Sequence, residues 1–227
     1  MVIEMKKIIL LISLLIIAGC AQQKDFSYGL GEIGKINSKY NTTISSYPAS
    51  QEQINSMLSD FSAIASLELE TGKESFEYVI KFRTLNLEAE KFIISSNKYG
   101  DAGTTKHGFG CKQRPLIIES AMLRNSSALK GFEATSLLNQ FIAEYPADAN
   151  TAGLSSKDVL FLNATFYQIY NDAEKDSKVI NNFCPKSRVL ELYQEEFRKS
   201  TDYSEDYITN LDYETAAIIW KKLRGLE

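Results

Sequence analysis

From Ser50 onward, apolar side chains recur at three- and four-residue intervals in six stretches separated by polar or glycine-rich breaks. The first is Ile54, Met57, Leu58, Phe61, Ile64 and Ala65, preceded by Ser50 and Gln53 in the spacing of a capping box. Thr71 and Glu74 have the same spacing and open a second stretch, which runs to about Asn97. It carries two stripes, Phe76/Val79/Ile80/Leu87 and Tyr78/Phe82/Leu85/Ala89/Phe92. Two stripes on one helix require contact with more than one neighbour. The start of this 72–97 segment also alternates as Phe76, Tyr78, Ile80, Phe82, which is a strand pattern. Its length, cap and helix-compatible continuation favour a helix.

The third stretch begins at Pro115, a residue suited to a first helical turn, and ends before Pro146, with Asn125-Ser126-Ser127 as a possible break. A fourth opens at Ser155, with Asp158 in its first turn, and carries Val159, Leu162, Phe166, Ile169, Tyr170 and Ala173. Cys184-Pro185 separates it from a fifth, marked by Val189, Leu190, Tyr193 and Phe197. The last carries Ala216, Ala217, Ile219, Trp220 and Leu223. The expected fold is all-α: an irregular bundle of about six helices around a single core, spanning 50–227. Residues 20–49 contain Gly29, Gly31 and a Ser/Asn/Thr-rich run, and are expected to form a flexible tether. Phe26, Tyr28, Ile33 and Ile36 are the residues there that could dock on the domain.

The first 19 residues change the picture most. Lys6 and Lys7 precede an apolar run from Ile8 to Ile17, closed by Ala18-Gly19-Cys20. That is a secretory leader, since the run is about half the roughly 20 apolar residues a spanning helix needs. Ile17-Ala18-Gly19-Cys20 resembles the lipobox of bacterial-type lipoproteins. The resemblance covers residues 1–20 and implies cleavage before Cys20, lipidation of that cysteine, and an exported, membrane-anchored domain. Each buried acyl methylene adds about 0.8 kcal/mol, so two or more chains anchor stably.

The whole chain has 25 basic and 29 acidic side chains; without Glu4, Lys6 and Lys7 of the leader, 23 and 28 remain. An acidic balance argues against a nucleic-acid partner and against a polybasic membrane contact. With Cys20 taken by lipid, Cys111 and Cys184 form an even pair in an oxidising compartment and are expected to be disulfide-bonded.

Candidate chemistry is sparse. Within the glycine-rich stretch 99–115, Lys106, His107, Lys112 and Arg114 gather positive charge beside Cys111, a composition able to bind an anionic or sugar-like ligand. The rival reading is an exposed loop pinned by the disulfide. His107 is the sole histidine, so a four-ligand structural zinc site has no second His/Cys pair to complete it, and neither a metal nor a cofactor is expected. Nucleophile-elbow, Walker and His-Glu-x-x-His motifs are missing. The sequons at Asn41, Asn125 and Asn163 matter only in a host that glycosylates exported proteins. Three functional expectations follow. The leading one is a non-catalytic envelope lipoprotein presenting a helical domain to a protein partner. The second is a lipid-anchored binding protein for an anionic ligand at 99–115, and the third, with least support, an envelope hydrolase.

Overall fold

In a computed structural model, which describes residues 24–43, 48, 50–103, 110–200 and 203–226, every one of the six expected stretches is helical. We label the helices α1 Phe26–Lys39, α2 Gln51–Ile64, α3 Lys73–Gly103, α4 Arg114–Glu144, α5 Pro146–Thr151, α6 Ser156–Phe183, α7 Lys186–Ser200, α8 Glu205–Thr209 and α9 Tyr213–Leu223. A 3-10 turn, Cys111–Gln113, leads into α4. No strand occurs among the described residues, so Phe76, Tyr78, Ile80 and Phe82 lie on a helix. Three helices beyond the six account for the longer inventory: α1 and the short α5 and α8.

The reading of 20–49 as tether throughout is corrected by α1. Asp25 caps it, its carboxylate accepting from the Tyr28 amide at 2.9 Å, and Phe26, Gly29, Ile33 and Ile36 are buried. The 26-29-33-36 spacing is helical, but Gly29 and Gly31 each weaken an isolated helix by about 1 kcal/mol relative to alanine. Packing overrides that penalty. A Cβ on Gly29 would lie 2.6 Å from the Phe76 ring, so the glycine lets α1 press directly onto α3. Farther along, the fully buried Arg83 of α3 donates to the Thr43 carbonyl at 2.7 Å, fastening the end of the α1 segment.

The caps follow the sequence in part. Ser50 accepts from the Gln53 amide, and the Ser155 amide and hydroxyl both donate to Asp158. At Thr71 the expected box gives way to a turn at Gly72 (φ 71°), and Glu74 reaches across to accept the Tyr145 hydroxyl at 2.8 Å. Asn125-Ser126-Ser127 does not interrupt α4. The Ser126 hydroxyl donates back to the Met122 carbonyl, and the Asn125 amide donates to Glu174 on α6.

Helices α3 and α4, 31 residues each and about 45 Å long, run antiparallel, as the Tyr78–Glu144 and Glu88–Lys130 pairs show. On another side of α4, α6 runs antiparallel in turn, with Arg124 donating to Asp176 at 2.6 Å. The central helix buries small side chains, including Ser120, Ala121, Ser127, Ala128, Gly131 and Ala134, which lets both neighbours approach closely. Its core is densest at the two ends of this stack. At one end Phe26, Ile54, Phe61, Phe76, Leu138, Phe141 and Leu154 pack together; at the other, Leu116, Ile180, Val189, Tyr193, Phe197 and Trp220. Buried polar side chains, among them Asn86, Ser96, Ser120 and Ser127, lie on the helices that join the two.

Candidate functional site

The glycine-rich stretch is the first place where expectation meets structure. Cys111 and Cys184 are disulfide-bonded with Cα atoms 5.2 Å apart, tying the 3-10 turn to the α6–α7 junction. Two of the four basic residues expected to hold a ligand are engaged within the fold. Lys112 pairs with Glu196, which also takes Arg224 at 2.9 Å. Burial would raise the Glu196 carboxyl, but the hydrogen bonds from Lys112 and Arg224 outweigh it and hold the group below the usual value of 4.5. Arg114 is buried; its guanidinium donates to the Tyr213 hydroxyl at 2.9 Å and to the Asn181 side chain, and lies over the Tyr213 ring. Tyr193 donates to the Lys112 carbonyl at 2.6 Å.

Lys112 and Arg114, two of the residues expected to bind a ligand, thus have partners inside the fold. Both dock the start of α4 onto α6, α7 and α9: buried Arg114 takes the acceptors that surround it, and half-exposed Lys112 takes Glu196. Lys106 and His107, like Cys20, lie outside the described residues. Among the described residues, no three His, Cys, Asp or Glu side chains converge as a metal site, and no helix is long and apolar enough to cross a membrane.

A different feature has the shape of a recognition site. The seam between α3 and α4 opens as a cleft of about 480 Å³ lined by Ile80, Lys81, Thr84 and Leu85 on one side and Glu133, Ser136, Leu137 and Gln140 on the other. Beyond Glu133 a second cleft, about 430 Å³, continues along the same seam past Phe92, Leu129 and Lys130. Lys130 pairs with Glu88 at 3.2 Å and with Glu133 at 3.4 Å, so a charged bridge crosses the seam where the clefts meet. The floor is apolar, and charges and amides stand at its edges. Such a trough suits side chains projecting from an amphipathic helix. Leu85 and Phe92, which sit on the second stripe of α3 and were expected to meet a neighbour, instead border the open seam. Its α4 wall was not legible, because Glu133, Ser136 and Gln140 look like ordinary surface positions in sequence.

Glu90, on α3, is half-buried, and burial raises its carboxyl above the usual 4.5. One turn before it, the Oδ1 of buried Asn86 has no partner among the described residues. A raised folded-state value means that the ionised form opposes folding at neutral pH. That cost is relieved as the pH falls through the folded value. Glu90→Gln is therefore expected to raise the urea midpoint at pH 7, with the gain over wild type shrinking toward pH 4.5. A midpoint lower than wild type at pH 7 would contradict it.

Comparison with known proteins found no match: no family model, no curated protein and no solved structure matches this chain.

Proposed function

We propose that the protein is a lipid-anchored, exported lipoprotein of the cell envelope that presents its helical domain to an envelope protein partner. The observation that supports this reading is the open seam between α3 and α4, an apolar trough with polar edges exposed along the side of the bundle. Its apolar floor and elongated course along the seam fit a helix ridge better than a small anion. The leader and Cys20 supply the address. Anchoring raises the local concentration of partner and domain at one membrane, so a shallow groove of modest affinity suffices.

The test places a photo-crosslinking amino acid at Thr84, inside the cleft, or at Lys222, away from it, in the membrane-anchored protein of the native host. A discrete adduct is expected from position 84 alone, and Leu137→Asp, which puts an unpaired charge on the cleft wall, should abolish it. No adduct, or the same products from both positions, would refute the groove. Intact mass and membrane fractionation of wild type beside Cys20→Ala test the anchor separately. A lipid mass increment and membrane association are expected in wild type only.

A further inference from the structure

An exposed apolar face lies on the first turns of α6. Leu160 is 69% exposed, Phe161 71% and Tyr167 61%, and with Ala164 they occupy positions i, i+1, i+4 and i+7 of one helix. Single exposed apolar residues are ordinary on a protein surface, but three large ones within eight residues on one face make a patch. The side of α6 facing α4 is filled by Phe166, Ala173 and Ile180, so this patch points away from the bundle.

Its position supplies the occupant. Val159 and Leu162, beside the patch, pack against the same cluster that buries Phe26, and the rings of Phe26 and Phe141 lie 6.3 Å apart. The chain running back toward Cys20 thus leaves the bundle at the end where α6 begins. Cys20 is five residues before Asp25, and five residues span at most about 17 Å. An acyl chain on Cys20 consequently holds this end, and not the disulfide-bonded end about 45 Å away, against the bilayer.

We propose that the face formed by Leu160, Phe161 and Tyr167 is a bilayer-contact surface, resting in the lipid interface beside the acyl anchor and setting the orientation of the domain. This rests on the lipoprotein reading above. The side-chain types fit: Phe and Leu enter the acyl boundary, the Tyr ring sits at headgroup level, and exposed Lys157 stands at the rim. Glu70, Glu74, Glu144 and Asp148 lie at the same end, so the contact is driven by apolar area rather than by attraction to anionic headgroups. Phe183, 76% exposed at the other end of α6, provides an internal control. It is 22 positions, or about 33 Å, from Phe161.

The experiment uses the mature protein purified from its native host and bound to phosphatidylcholine vesicles with or without brominated acyl chains. Phe161→Trp and Phe183→Trp are compared, with the signal of buried Trp220 in wild type subtracted. The F161W emission is expected to shift to the blue and to be quenched severalfold more than that of F183W. Anionic lipid should not strengthen the effect. Intact mass at Cys20 is read on the same samples. A lipidated, vesicle-bound protein with both emissions unquenched would overturn the bilayer face while leaving the anchor standing. Equal quenching at both positions would also overturn it, as would a solution dimer that Leu160→Ser/Phe161→Ser dissolves, since the occupant would then be a second copy. Absence of lipid mass would sink the anchor reading, and F161W quenching in that unlipidated protein would still support the face.

Discussion

Reducing the Cys111–Cys184 disulfide, or replacing both residues by serine, is expected to lower the unfolding free energy by about 4 kcal/mol. The bond closes a loop with a sequence separation of 73 that contains all of α4, α5 and α6. Opening it returns that freedom to the unfolded chain, while the folded contacts change little. Cys184 is buried among Leu116, Ile180 and Val189, so the serine variant also places a hydroxyl in an apolar cluster. Lys112, Arg114 and Tyr193 still clamp the start of α4, and for that reason the reduced protein should remain folded in the absence of denaturant. Urea unfolding with and without reductant measures the difference. A midpoint unmoved by reductant would mean that the bond adds nothing beyond these contacts.

Gly131→Leu should cost about 3 kcal/mol or more. A Cβ at this position would lie 2.2 Å from the Phe166 ring, a distance that real Cβ contacts do not reach, and Phe166 is itself only 5% exposed. Either the ring leaves its pocket or α6 moves off α4. Even Gly131→Ala should destabilise, since the clash exceeds the roughly 1 kcal/mol that alanine gains over glycine within a helix. Phe166→Ala makes the needed space, so the double variant Gly131→Ala/Phe166→Ala should lose less than the sum of the two single losses. Denaturant midpoints of the four proteins give the coupling, and simple additivity would show that the two residues do not share the contact.

The fold was readable where one physical signal dominated. Sustained apolar periodicity marked α2, α3, α4, α6, α7 and α9, because a 3.6-residue repeat on a long segment leaves an apolar face no option but burial. Compartment and cysteine parity pointed to the pairing of Cys111 with Cys184. Helix α1 was harder, since Gly29 reads as a flexible residue in isolation and as a contact residue only once Phe76 stands against it. Lys112 and Arg114 show the same limit. Clustered positive charge on a glycine-rich stretch suggests a ligand, and only the approach of Glu196, Asn181 and Tyr213, residues 67 to 99 positions away, reveals that the fold takes that charge up itself.

By itself, then, the chain determined that its domain is helical, where most of the long helices begin, and which two cysteines could bond, because these depend on neighbours within a few turns or on counting. It also carries the lipobox-like stretch ending at Cys20, on which the proposed anchor rests. Tertiary structure decided which parts of the two apolar stripes are covered, which glycines are contact points, which cations are taken, and which faces stay open along α3–α4 and at the start of α6. Those outcomes depend on side chains brought together from distant positions, and periodicity within one helix holds no record of its neighbours.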